Sequence, residues 1–168
     1  MNPPLEPPDR AVELIRQLQL QPHPEGGHFR ELFRSPASVT PDDDRPLRSA
    51  LTCIDFLLVR GEFSAWHRVR SDEAWHLLEG GPLRLWLMPP NLERIDCADL
   101  GVVGDEGLRP RHVVAAGWWQ AAEPLGGYAL AGATVGPGFD FNDFSFLRAN
   151  AEAAAALASL RPDLMRLG

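Results

Sequence analysis

Apolar residues recur along this chain in two periods. Near the start, Ala11, Leu14, Ile15 and Leu18 return at the three-to-four-residue spacing of a helix face, with Asp9 in position to cap its start. The pattern predicts one helix over residues 9–19, laid by that stripe against the body of the protein. Thereafter the period is two. Over His28–Arg34 the parity puts Phe29, Glu31 and Phe33 on one face and His28, Arg30, Leu32 and Arg34 on the other. Residues 47–59 are almost continuously apolar, as in a strand buried on both faces, and Asp55 interrupts them. Leu83–Met88 and residues 128–135 read as further strands, residues 111–116 and 118–122 read as a strand bent or turned at Gly117, and Phe144 and Phe146 belong to a last aromatic one. Residues 91–107 read as a turn-rich connection. The alanine-rich stretch 148–161 predicts a C-terminal helix. About nine strands with short terminal helices predict an all-β barrel or double-sheet jelly roll.

The stretch 61–80 concentrates the chemistry. It holds two short strand-like runs between glycines, with His67, His76, Glu73, Trp66 and Trp75 among them. Strand parity turns Ala65, His67 and Val69 one way in the first run and Glu73, Trp75 and Leu77 one way in the second. His67 and Glu73 can therefore share an apolar interior, and His76 faces away unless a bulge intervenes. Glu31 between two phenylalanines needs either an arginine partner or a wet cavity.

Composition narrows the field of functions. The chain has 168 residues, which fits one domain, with a proline-rich arm over 1–8 and a folded body over 9–168. Sixteen Lys and Arg against 23 Asp and Glu give a net charge of −7, which argues against a nucleic-acid or anionic-membrane partner. Arg30, Arg34, Arg45 and Arg48 are expected on a solvated face. Cys53 and Cys97 are not in metal or redox spacing. No signal-peptide pattern and no apolar run of membrane-spanning length is read, so a cytoplasmic location is expected.

Several phrases resemble a known family. Gly61, His67, Glu73 and Gly80 follow the spacing of the first cupin motif, with Val69 where a second histidine usually stands. Gln120 occupies the place of the histidine of the second motif. Pro22-His23-Pro24-Glu25-Gly26-Gly27, Trp66-His67-Arg68-Val69, Asp72-Glu73-Ala74-Trp75-His76, Gly117-Trp118-Trp119-Gln120 and Val135-Gly136-Pro137-Gly138-Phe139-Asp140-Phe141 occur in the order seen in the uncharacterised DUF985 (Cupin_5) branch of the cupins. The resemblance implies a jelly-roll barrel, the cupin double-stranded β-helix, that binds a small molecule and forms a homodimer.

Three functional readings follow. In the first, the protein is an isomerase or epimerase on a sugar-like substrate. His67 is then the base, Glu73 its partner and Tyr128, the only tyrosine, the opposing acid. In the second, a divalent metal is held by His67, Glu73 and Gln120. The third is a noncatalytic binding module for a small polar or ring-containing ligand, with Trp75, His76 and Gln120 as contacts. Among the five tryptophans at least three are expected in the core or in a dimer interface. His23, His28 and His112 are expected to be structural or exposed, and Asp140 to cap a local turn.

Overall fold

The computed structural model describes residues 9–104 and 107–168. The expected arm over 1–8 lies outside the described residues. The chain runs through helix α1 (Asp9–Leu18), strands β1 (Gln21–Pro22), β2 (His28–Arg34), β3 (Ser38–Val39), β4 (Arg48–Ser49), β5 (Thr52–Val59), β6 (Ser64–Val69), β7 (Asp72–Gly80), β8 (Leu83–Met88) and β9 (Asp96–Leu100). Then come β10 (Arg111–Val114), β11 (Trp119–Pro124), β12 (Tyr128–Gly136), β13 (Phe144–Phe146) and helix α2 (Ala151–Leu160), with short 3-10 turns at Phe141–Asp143, Leu147–Ala149 and Pro162–Leu167.

The strands form two antiparallel sheets, of order β1-β2-β5-β12-β7-β10 and β13-β6-β11-β8-β9, with β3-β4 as a small ribbon. This is the mostly-β cupin architecture with short terminal helices. Alternation along each strand divides three apolar clusters among its faces. Between the sheets, Phe56 and Leu58 of β5, Trp75 of β7, Leu83, Leu85 and Leu87 of β8, and Ala129 and Ala131 of β12 fill one end of the barrel. Outside the six-stranded sheet, Ala11 and Leu14 of α1 pack on Leu57, Val59 and Leu130. Outside the other sheet, Ala153 and Leu157 of α2 cover Trp66, Trp86 and Trp119, and the Trp66 indole donates to Leu164 O at 3.2 Å. Asn150 caps α2 by accepting from Ala153 N.

The same strands leave the other barrel end hollow. Inward positions run from core to cavity: Phe56 then Ile54 and Thr52 on β5, Trp75 then Glu73 on β7, Ala131 then Ala133 and Val135 on β12. Only small or polar side chains occupy the hollow half of β12, so the volume stays open.

The fold departs from the periodic reading in four places. Residues 91–107 contain β9, whose alternation is too weak to show because Asp96, Cys97 and Asp99 fill an edge strand. Gly117, at φ 80°, does not bend one strand; it passes the chain from β10 in one sheet to β11 in the other. On β2 the register with β5 shifts between Glu31 and Phe33. This bulge at Leu32 inverts the parity, so Phe33 turns out and Arg34 joins Glu31 on the inner face. Lastly, Arg45 and Arg48 are buried rather than solvated. Both bind the buried Asp143, through Arg48 Nε and Nη2 at 2.8 and 2.9 Å and Arg45 Nη1 at 3.2 Å.

Candidate functional site

The hollow end is a cavity of about 830 Å³, within the range that encloses small-molecule ligands. Its inner end brings together Glu25, His67 and Glu73, with His23 beside them. His67, on β6, is 2% exposed. Its Nδ1 lies 2.7 Å from Ala65 O, and only a protonated Nδ1 can donate there. The lone pair of the neutral ring therefore sits on Nε2, which lies 3.4 Å from Glu25 Oε2. Burial pushes the imidazole pKa down from its usual value, partly offset by the Glu73 charge.

Glu25 comes from the turn between β1 and β2. Two glycines steer it inward. Gly26 has φ 112°, and a Cβ there would stand 2.1 Å from Phe63 O; Gly27 has φ 70°, with a Cβ 2.6 Å from Leu57 O. Neither position accepts a side chain without moving backbone. Glu25 O then accepts from Ala65 N at 2.7 Å, which pins the turn to β6, and Ser64 Oγ donates to Glu25 Oε1 at 2.8 Å. Desolvation raises the Glu25 carboxyl to about 8, against the smaller opposing effect of the Ser64 hydroxyl. His23 Nδ1 accepts from Glu25 N at 3.2 Å, and its ring meets Phe29 edge-on with centroids 4.5 Å apart. Burial lowers its pKa to about 4, so it is neutral at pH 7.

Glu73 is oriented by a relay. The Trp75 indole, a donor only, donates to Gln120 Oε1 at 2.9 Å, which turns the Gln120 amide nitrogen to Glu73 Oε2 at 2.5 Å. Burial raises the Glu73 carboxyl to about 7; His67 lowers it and Glu25 adds to the rise. Trp75 and Gln120 thus stand behind the site rather than in its wall. The third and fourth sides are aromatic and ionic. Phe144 stacks on His67 with centroids 5.1 Å apart and planes 20° apart, and Phe139 and Phe141 meet Phe144 edge-on. Nearer the mouth, Arg34 forks onto Glu31 at 3.0 and 2.8 Å and donates to Phe139 O. Glu31 is therefore both paired and at a cavity.

Two expected contacts lie elsewhere. Tyr128 is on the outer face of β12, opposite in parity to Ala133 and Val135, and its hydroxyl donates to Glu79 Oε1 at 2.8 Å beside Arg10. It cannot oppose His67. His76 faces outward as parity implied, with Arg111 and Gly132 as cross-strand neighbours, and does not line the cavity. The metal set does not assemble either. Gln120 offers its oxygen to Trp75, and among the described residues no group of three or more His, Cys, Asp or Glu side chains is arranged to hold a metal ion. Glu25 is the residue that periodicity missed, because a turn has no parity to read. Its signal is local: an acid between Pro24 and a glycine pair that must bend sharply.

Relatives share this frame. An uncharacterized protein of Saccharomyces cerevisiae, YML079W, is 28% identical over 163 residues, covering 88% of this chain and 80% of that one. A hypothetical protein from Leishmania major superposes with a TM-score of 0.81 at 28% identity, over 94% of this chain and 98% of that one. Protein SO0799 from Shewanella oneidensis does so at 0.79 and 30%, over 98% of both. The family described as Cupin superfamily (DUF985), Cupin_5, matches residues 12–147, and the chain belongs to that family.

Proposed function

We propose that the protein is an acid–base isomerase of a small polar, sugar-like molecule held in the barrel cavity. His67 Nε2 is the base, and Glu25 and Glu73 are the carboxyls that exchange protons with it. One observation carries the reading: His67 has its Nδ1 proton committed to Ala65 O while its basic Nε2 faces Glu25 at the cavity's inner end. A tautomer fixed in this way, beside a carboxyl kept protonated by burial, supplies base and acid together near neutral pH. The base would take a proton from the hydroxyl-bearing carbon next to a carbonyl while the acid protonates the carbonyl oxygen, giving an enediol. The proton held by the base would then return to the former carbonyl carbon as the other hydroxyl gives its proton to the carboxylate, which forms the new carbonyl and restores the acid.

The grouping of these side chains favours a proton shift on one face of the substrate. Inversion of a centre needs an acid and a base on opposite faces, and Tyr128 is bound to Glu79 on the outside of the sheet. Aldose–ketose interconversion fits better than epimerisation. The test is hydrogen–deuterium exchange by NMR, in D2O, across a panel of aldoses, ketoses and amino sugars. Exchange into one substrate that falls about 100-fold or more in His67→Ala and Glu25→Gln is expected. Exchange undiminished in His67→Ala removes the reading.

A homodimer belongs to the same proposal. Among the described residues the edge of β2 beyond Phe29 has no strand beside it, and Leu32 and Phe33 on it are 56% and 48% exposed. Light scattering at micromolar concentration should give twice the chain mass, and a monomer would refute it.

A further inference from the structure

Apart from the proton that burial keeps on Glu25, the inner end of the cavity is rich in acceptors and poor in donors. Glu25 Oε1 takes the Ser64 hydroxyl, while Oε2 receives no hydrogen bond from the described residues. Glu73 Oε2 takes the Gln120 amide, while Oε1 receives none from the described residues. His67 is 2% exposed, lines the cavity and presents a lone pair on Nε2, its proton being on the Ala65 side. His23 also has its Nδ1 lone pair turned inward, to Glu25 N. The His67 Nε2 lone pair, 3.4 Å from Glu25 Oε2, and the two carboxyl oxygens therefore lie around one volume.

Among the described residues no cation answers them. Arg34 spends both arms of its fork on Glu31 and its remaining nitrogen on Phe139 O. Arg30 sits across the strand pair from Asp55 and donates to Leu18 O at the end of α1. Asp140, the other charged side chain of the lining, is a further acid. The nearest walls are aromatic: Phe144 lies face-on to His67, with Phe139 and Phe141 around it. Buried carboxyls that an arriving ammonium holds ionised, with aromatic faces around them, select a cation, because both then attract positive charge and neither binds an anion. A hydroxyl brings one donor and no charge; an ammonium brings three donors and the charge that two buried carboxyls lack.

We infer that the inner end of the cavity binds the ammonium group of its ligand, so that the molecule turned over is a small polar amine, of the amino-sugar class. The inference rests on the reading of this cavity as the working site. It names the substrate class by charge.

The test compares three sugars of one shape, glucosamine, glucose and glucuronate, as cation, neutral molecule and anion. Binding to the parent protein at pH 7 is measured by calorimetry. Glucosamine is expected to bind at least about tenfold more tightly than either of the others, one decade being about 1.4 kcal/mol. In Glu73→Gln, which removes a charge and keeps the shape, that preference should fall about tenfold. Equal or tighter binding of glucose or glucuronate overturns the inference, and so does failure of glucosamine to bind at millimolar concentration. The parent comparison stands whether or not the variant folds. The two proposals fail separately. Deuterium exchange into a bound neutral sugar would sink the ammonium class and leave the acid–base chemistry standing, whereas amine binding with no exchange in any substrate would do the reverse.

Discussion

Replacing Glu25 by Gln should change how stability depends on pH, and the sign can be worked from the site. The carboxyl rises from 4.5 to about 8 on folding because burial penalises its charge. A carboxyl with a raised folded-state pKa keeps its proton in the native state while the unfolded chain has lost it. Stability then falls as pH rises, from the unfolded value up to the folded one. The limiting slope for one proton is about 1.4 kcal/mol per pH unit. Below pH 6.5 this is masked, because His23 and His67 have lowered pKa values, which makes stability rise with pH there. Glu73, raised to about 7, contributes to the fall in both proteins. The clean comparison runs from pH 6.5 to 8. Over that interval the parent should lose about 2 kcal/mol relative to Glu25→Gln, since the amide hydrogen-bonds without titrating. Urea denaturation followed by tryptophan fluorescence at four pH values measures it, as Trp66, Trp75 and Trp119 are fully buried. Profiles parallel to within about 0.5 kcal/mol would refute the claim that Glu25 is protonated in the native protein.

Three other substitutions probe the frame. Gln120→Leu strands the Trp75 indole and Glu73 Oε2 without partners, and at about 1–3 kcal/mol for each buried group it should lower stability by several kcal/mol in urea denaturation. Tyr128→Phe should leave ligand binding and any deuterium exchange within about twofold of the parent, since it removes one half-exposed hydrogen bond to Glu79 worth about 1 kcal/mol; a large loss of exchange would return Tyr128 to the mechanism. Asp143→Ala leaves Arg48 buried without its carboxylate and Arg45 with Asp43 alone, and should cost about 3–5 kcal/mol, with weakened ligand binding as well, because the 3-10 turn holding Asp143 leads directly into Phe144 on the cavity wall. A thermal melt and calorimetry on the same variant check both parts.

The sheets were largely legible because alternation is a strong signal wherever one face is apolar. His28–Arg34 and Leu83–Met88 appear with the bounds that their periodicity predicts, and α1 ends one residue early. What the pattern does not carry is the change of parity at a bulge. Leu32 adds one residue to β2 and moves Arg34 from the outer row to the inner. Nor does it carry the sheet to which a strand belongs. Residues 111–122 read as a strand bent or turned at Gly117, yet β10 and β11 lie in opposite sheets, because a glycine at positive φ can end a strand as readily as bend it.

The same reasoning divides the site. His67 and Glu73 converge because each is an inward residue on a strand of fixed parity, and parity also puts Tyr128 outside: along β12 it shares its row with Leu130, under α1, and not with Ala133. That exclusion was available from the sequence once the small residues Ala129, Ala131 and Ala133 were taken as the inner row. Glu25 obeys no such rule. Its side chain is aimed by two glycines whose Cβ atoms would strike Phe63 O and Leu57 O, and by a carbonyl bonded to Ala65 N, the residue whose own carbonyl fixes the His67 tautomer. One short segment, residues 63–67, therefore seats the Glu25 turn and the His67 ring together. The spacing between base and acid is set by a single strand, so a change at Gly26 or Ala65 should disturb both groups at once and neither one alone.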